Sequence, residues 1–381
     1  MKKDIKDAKV AIVQDYLHVF GGAEGVVQAI WELFPNSEIY SATYDEKAMK
    51  KAGAFQGAKI HYPKWKDGIP HKIKKFMHKL MIANLPLYFY FLDLSNYDII
   101  ISSTAHFAKG VRTKPNQLHV SYIHTPPRFL YGYPGQIRKR SKWYFKPIFW
   151  PIDSVLRIID KQFAKHPDYL VCNSTEVKNR IKNFYNRDAV VIPPFPNVTV
   201  TDEDFKKSKS GTNDYFLIVS RLQTYKNIDL AIKVCGSQNI KLKIAGTGDQ
   251  KKELEVLAKN YDSVEILGFV SDEEKHNLFI NSKGFLATVT KEDFGMTPLE
   301  SMMYGKPVVA LRDAGYLDTV EEGKTGVFFD ELTEDSLLNA IKNFDKIKWD
   351  YDYIRKHAKT FSKDRFKKEF YEFVKSKYEF A

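Results

Sequence analysis

Short β-branched apolar runs alternate with amphipathic segments along most of this chain, and that alternation constrains its fold more than any other feature. Lys9–Asp15 reads as a buried strand. Gly21-Gly22-Ala23-Glu24 then opens a helix whose Val26, Val27, Ile30 and Leu33 recur at helical spacing. Further strands are expected at Ser37–Tyr40, Tyr97–Ser102, Leu118–Ile123, Tyr169–Cys172 and Ala189–Ile192. Pro193-Pro194-Phe195-Pro196 continues neither strand nor helix, and a polar stretch runs on to position 213. A linker is expected there. A second series follows, with strands at Phe216–Ser220, Lys241–Ala245, Val264–Leu267, Gly284–Thr288 and Pro307–Leu311. Its helices are expected at Ile228–Val234, Gln250–Lys259, Asp272–Ile280, Leu299–Tyr304 and Thr333–Phe344. The last segment, Asp364–Tyr378, carries Phe366, Phe370, Phe373 and Val374 on one face.

Strands that alternate with helices give βαβ units and parallel sheets. The expected class is therefore α/β, with two Rossmann-like, doubly wound domains facing a cleft. The expected bounds are 1–198, 199–362 and a C-terminal helix over 363–381. At 381 residues the chain buries ample core without a staple, and Cys172 and Cys235 are too few and too far apart for a disulfide scaffold or zinc cluster. Two lone thiols fit a reducing compartment. The N-terminal apolar run is broken too soon, at Asp15, to read as a signal peptide. The longest uncharged apolar run, Leu80–Leu92, is 13 residues, short of the roughly 20 a membrane helix needs.

Charge divides the chain. Residues 1–200 hold 30 Lys and Arg against 16 Asp and Glu, whereas the remainder holds 29 against 31. Such asymmetry points to an anionic surface or substrate met by one half, or to a solvated basic face.

Four local features converge on a phosphorylated ligand. Gly21 and Gly22 lie between a strand and a helix, where backbone can approach an anion. No G-x-G-x-x-G is present, which disfavours a nicotinamide-dependent dehydrogenase. Arg221 and Lys226 follow the first strand of the second domain, at the end where open sheets bind ligands. A guanidinium fork and an ammonium suit a diphosphate, although two exposed cations would look the same. Glu292 and Glu300 bracket Phe294-Gly295-Met296-Thr297, ahead of a helix whose first turn holds Pro298, so free amides face an anion there. A solvated Glu292 and a Glu300 that answers the helix dipole are the plainer alternatives. His124 ends a buried strand and Arg128 follows it, while His119 reads as structural.

Taken in order, GGAE at 21–24, HTPPRFL at 124–130, SRLQTYKNIDLAI at 220–232, GTG at 246–248, GFVSDEE at 268–274, EDFGMTPLE at 292–300, GKPVVA at 305–310 and GKTGVFF at 323–329 resemble family 4 glycosyltransferases of the GT-B fold. Within that family the chain resembles GDP-mannose-dependent mannosyltransferases of surface polysaccharide and lipopolysaccharide synthesis. The resemblance implies retaining hexosyl transfer, mannose favoured, from a nucleotide sugar that is substrate rather than cofactor. It implies no metal, and a C-terminal helix that crosses back to the N-terminal domain. It places Gly21 and Gly22 near the diphosphate and acceptor, Arg221 and Lys226 on the diphosphate, and Glu300 on the ribose. Glu292 and the amides around Phe294, Gly295, Met296 and Thr297 would hold the sugar, Gly268, Phe269 and Val270 would frame the base, and His124 would touch the sugar. His124 and Glu292 are the catalytic candidates, and Arg128 would face the acceptor. Asp202-Glu203-Asp204 and Asp350-Tyr351-Asp352 read as solvated surface rather than metal ligands.

Residues 71–92 and 138–151 join lysines or arginines to aromatic runs, which suits an anionic membrane surface or helices that cover the N-terminal sheet. Lys72, Lys74, Lys75 and Lys79 are the expected contacts, with a lipid-linked saccharide acceptor and a location at the cytoplasmic inner face of the cell membrane. Three rivals remain: a UDP-sugar-dependent transferase of the same fold, a non-catalytic sugar-nucleotide binder and a nucleic-acid-binding protein. No nucleic-acid-binding signature is evident.

Overall fold

The computed structural model describes residues 4–63, 84–133 and 146–380, excepting the side chains of 146–148 and 380. Two compact units share the chain: Met1–Pro194 with Lys363–Ala381, and Phe195–Ser362.

In the first unit, seven parallel strands run in the order β3-β2-β1-β4-β5-β6-β7. They are β1 (Val10–Gln14), β2 (Glu38–Ser41), β3 (Lys59–His61), β4 (Ile99–Thr104), β5 (Leu118–Ile123), β6 (Tyr169–Cys172) and β7 (Val190–Val191). Every residue of β1, β4 and β5 is buried, as a parallel sheet covered on both faces requires. The chain leaves β1 toward one edge and returns on its other side at β4, so the crevice between β1 and β4 is the topological switch. The C-terminal helix Lys363–Phe380 packs on this unit. Phe366 and Phe370 are buried against the edge of Tyr122 in β5, at ring separations of 5.8 and 6.2 Å. Lys363 and Lys367 close on Glu32 of the helix Gly22–Leu33, at 2.6 and 3.2 Å.

The second unit repeats the plan with six parallel strands in the order β10-β9-β8-β11-β12-β13. They are β8 (Tyr215–Val219), β9 (Leu242–Ala245), β10 (Val264–Gly268), β11 (Ser282–Ala287), β12 (Val308–Leu311) and β13 (Gly326–Phe329). Alternate residues of β8 feed opposite cores, because side chains on a strand point to opposite faces. Phe216 and Ile218 join a cluster with Phe344 and Ile341, and Tyr215 and Leu217 join one with Phe279 and Leu299. Here the switch lies between β8 and β11.

Several expectations need correction. The stretch 202–210, read as linker, is a helix, Asp202–Ser210, closed by a reciprocal cap between Thr201 and Asp204. Strands β3 and β13 and the helix Tyr351–Lys359 carried no expectation. Nor is the acidic trio at 202–204 simply solvated: Asp204 also faces His276 at 3.3 Å, and Asp202 pairs with the buried Arg355 at 2.7 Å. Asp350 caps the helix Tyr351–Lys359, and Asp352 pairs with Lys209. His119 lies inside β5. Its Nε2 is 2.9 Å from Ser102 Oγ, and burial lowers its pKa to about 3.

Candidate functional site

At the switch of the second sheet, the loop after β8 is held from two sides. On one side it meets the turn after β9, where Leu222 N donates to Thr247 O (2.9 Å) and Gln250 N donates to Leu222 O (3.1 Å). Gly246 makes that approach possible: its φ is +142°, and a Cβ there would lie 1.8 Å from Ser220 O. On the other side the loop meets the end of β11. Thr288 Oγ1 donates to Lys226 O (2.7 Å), and Asn227 Nδ2 donates to Thr288 O (2.9 Å). These bonds set the short turn Thr224–Lys226 beside the 291–295 loop.

Lys226 Nζ consequently lies 3.0 Å from Glu292 Oε2, with the two side chains only 14% and 20% exposed. The sequence assigns these residues to separate parts of a ligand; the fold brings them into one ion pair. An ammonium that spends one N–H on Glu292 keeps two more for an anion. The 291–295 loop is pinned from behind, where Lys291 N donates to Asp313 Oδ2 (2.6 Å) and Gly315 N to Glu292 O (3.0 Å). Gly295 caps the helix Met296–Met303 at φ +93°, and a Cβ on it would press within 2.8 Å of the Tyr316 ring. The amides of Gly295, Met296 and Thr297 meet no acceptor among the described residues. They and Lys226 line one concave pocket with Ser220, Glu292 and Tyr316. The pocket therefore offers one cation, one carboxylate and a helix N-terminus, which together suit a phosphorylated, hydroxyl-rich ligand.

The side chain of Phe294 is core, buried beside Phe361, so only its backbone faces the loop. Glu300 is the fifth residue of its helix, in the second turn rather than the first. Its side chain is 12% exposed, with Lys275 Nζ 3.9 Å away. Burial raises its pKa, against Lys275 and the Asn197 backbone N–H. Arg221 is exposed on the β8 loop, without an ion pair among the described residues. Gly268 ends β10, and the Phe269 ring beyond it is 76% exposed, an unusual placement for a large aromatic and a ready stacking surface. Val270 beside it is half-buried.

The first unit builds its own site at the same edge of its sheet. Gly21 caps the helix Gly22–Leu33 with extended backbone and no side-chain hydrogen bond at the cap, and Glu24 Oε2 lies 3.3 Å from where a Gly21 Cβ would sit. Asp15, just past β1, is buried and accepts five hydrogen bonds, from Thr104 Oγ1 and the amides of Ala105, His106, Phe107 and Ala108, at 2.7 to 2.9 Å. Burial opposes its charge, but His106 and these amides outweigh that and hold the carboxyl well below its usual range. The loop after β4 is thereby fixed beside the switch. His124 follows β5; its Nε2 is 2.8 Å from Ser103 Oγ, and its carbonyl accepts from Asn173 Nδ2 at 2.9 Å. Burial lowers its pKa to about 4, so the ring is neutral near pH 7. Arg128 is half-buried in the turn that follows. Lys72, Lys74, Lys75 and Lys79 lie outside the described residues.

Sequence reasoning missed Asp15, Ser103, Asn173 and Lys275. Asp15 had a signal, a carboxylate at the end of the first buried strand. For the other three, ordinary polar residues in ordinary positions gave none.

Residues 200–361 match the family model for glycosyl transferases group 1, and residues 51–199 match that for Glycosyltransferase Family 4. The chain is 25% identical to the alpha-1,3/1,6-mannosyltransferase ALG2 of Dictyostelium discoideum, over 90% of this chain and 91% of that one. It is 24% identical to an uncharacterized glycosyltransferase of Methanocaldococcus jannaschii, over 87% of each. Among solved structures it is similar to Anabaena HepE in complex with UDP-glucose, with a TM-score of 0.67 at 18% identity over 96% of this chain and 99% of that one. The lipopolysaccharide outer core galactosyltransferase WaaB gives 0.65 at 19% identity, over 97% and 99%. Two doubly wound parallel domains, each matched by a glycosyltransferase family model, establish that the chain is an enzyme of the family 4 glycosyltransferases with the GT-B fold.

Proposed function

We propose that this enzyme moves a mannosyl unit from GDP-mannose to a hydroxyl of a lipid-linked saccharide, with retention of configuration and without a metal ion. The observation that carries this reading is the pocket at the β8–β11 switch, where Lys226, Glu292 and the amides of Gly295, Met296 and Thr297, which meet no acceptor among the described residues, converge. Breaking a glycosyl–phosphate bond places positive charge on the sugar ring and negative charge on the departing diphosphate. Fixed N–H groups and cations aimed at that diphosphate lower the barrier most. Lys226 and Arg221 supply the cations, and the helix N-terminus supplies the amides. Glu292 orients Lys226 and accepts from hexose hydroxyls, while Glu300 accepts from the ribose and Phe269 stacks on the base. His124 is kept neutral, so it serves as a hydrogen-bonding partner of the sugar and not as a cation.

In the step itself, the C1–O bond to the diphosphate breaks and a C1–O bond to the acceptor forms on the same face. The acceptor's proton passes to the leaving phosphate oxygen. Mannose is favoured because relatives matched over 91% and 72% of their own length carry the name mannosyltransferase. Incubation with a panel of GDP-, UDP- and ADP-sugars, scored by nucleoside diphosphate release, tests the donor. Release from GDP-mannose is expected; turnover of a UDP-hexose with none of GDP-mannose would overturn it.

The same reading puts the enzyme on an anionic membrane surface, where a lipid-linked acceptor lies. Among the described residues no helix is long and apolar enough to cross a bilayer. The helix Lys146–Phe163 instead turns Trp150, Val155 and Ile158 outward, at 69%, 57% and 63% exposure. An outward apolar face next to a basic stretch supports interfacial binding. Sedimentation with anionic vesicles is expected for the wild type and is expected to be lost for Ile158→Asp; equal sedimentation of both would remove the membrane from the account.

A further inference from the structure

We infer that Lys275 is the positioning residue for Glu300, holding its carboxylate as the two-acceptor anion that a ribose diol requires, a role that rests on Glu300 being the ribose-binding group. A vicinal diol offers two donors. An ionised carboxylate accepts both, whereas a protonated one spends an oxygen as a donor. Something must therefore keep Glu300 charged in a site that is 12% exposed.

The groups around it are few. Asp272 and Lys275 come from the helix Asp272–Asn281, and the Asn197 N–H comes from the chain ahead of the unit's first helix. Tyr304 closes the carboxylate's own helix, and its hydroxyl lies 2.8 Å from His276 Nδ1. His276 in turn faces Asp204. Lys275 is the one cation within 4 Å of Glu300 among the described residues, at 3.9 Å. It lies equally far from Asp272, whose side chain is fully in solvent and screens away. The pull on Glu300, in lower dielectric, is the stronger of the two.

Among the described residues nothing else claims the ammonium. At 3.9 Å it is beyond hydrogen-bonding range of either carboxylate, and it donates to no other described residue. The cap at Ser271, closed by Glu274, fixes where this helix starts and so which residue faces Glu300.

Calorimetric titration of GDP between pH 5.5 and 8.5 tests this in wild type, Lys275→Met, Lys275→Arg and Glu300→Gln. Lys275→Met is expected to move the acid limb of the binding profile upward by about one pH unit, and so to weaken GDP by up to about tenfold at the acid end of the titration and by less at pH 7. Lys275→Arg restores both, and 2′,3′-dideoxy-GDP abolishes the difference between wild type and Lys275→Met. If Glu300→Gln weakens GDP while Lys275→Met leaves affinity and profile unchanged, Lys275 has no such role. A Lys275→Met loss that persists with the dideoxy nucleotide also overturns it, since the lysine would then serve the phosphates. If Glu300→Gln binds GDP like wild type, the ribose assignment fails, and this inference with it. Lys275→Gln repeats the test should the methionine variant fold poorly.

Discussion

Glu292 and Glu300 stand on one loop–helix unit, yet their surroundings give them different work. Glu292 is spent on Lys226, next to the amides of Gly295, Met296 and Thr297; Glu300 accepts from one backbone N–H and has a lysine 3.9 Å away. Replacing Glu292 by Gln keeps the shape but removes the partner that aims Lys226. It is expected to lower kcat by about a hundredfold, the scale of one lost preorganised group. Glu300→Gln is expected mainly to raise the donor KM. Steady-state kinetics in both variants checks the split, and wild-type turnover in the two would contradict the assignments. His119 carries a different kind of prediction. Its folded pKa is depressed, to about 3 from 6.5, so between those values the unfolded chain binds a proton that the folded one does not. Its contribution is complete above pH 6.5 and is lost as pH falls toward 3, at up to about 1.4 kcal/mol per pH unit. Denaturant midpoints should therefore fall between pH 6.5 and 5 in the wild type, and fall less steeply in His119→Gln. A midpoint that does not move over that range would count against it.

Among the elements, the loops at the sheet switch are fixed by backbone contact more than by side chains. Gly246 is the tightest point, with Ser220 O where a Cβ would have to sit. Gly246→Ala must push the β8 loop away from β9, at a cost of about 1–3 kcal/mol. Because that loop carries Arg221 and leads to Lys226, a rise in donor KM is expected alongside the drop in melting temperature. A melting drop with an unchanged KM would show that the loop does not bind donor. The helix Asp202–Ser210 shows why composition misled here. Its sequence is polar apart from Phe205, and only Phe205 and Ser208 are buried. What makes it helical is the pair of reciprocal hydrogen bonds at Thr201 and Asp204. Thr201→Ala should cost about 1 kcal/mol, measurable by denaturation of the full chain. The strands β3 and β13 escaped for another reason: three and four residues with little alternation look like loop until a neighbouring strand pairs with them.

For the molecule as a whole, the C-terminal helix joins the first unit although 168 residues of the second unit precede it. Phe366 and Phe370 are fully buried there and touch Tyr122, two positions before His124 in sequence. The Tyr122 hydroxyl in turn donates to Ile192 O. Phe370→Ala opens a cavity in this packing and should cost about 3–5 kcal/mol. Loss of activity is expected to accompany the loss of stability, because β5 aims His124. Calorimetry and donor turnover on the same preparation check both.

The sequence alone determined the repeat of strand and helix, hence two parallel sheets, and the ordered glycines, cations and carboxylates that mark the enzyme family. These were legible because they depend on local periodicity and on residues whose chemistry is specific at fixed spacing. Only the tertiary structure decided which of those groups meet. Lys226 and Glu292 are 66 positions apart, and Lys275 and Glu300 are on different helices. Their pairing, like the grip of Asp15 on the loop after β4, follows from strand order and from the burial that makes each charge need a partner. Neither is written in any short stretch of chain.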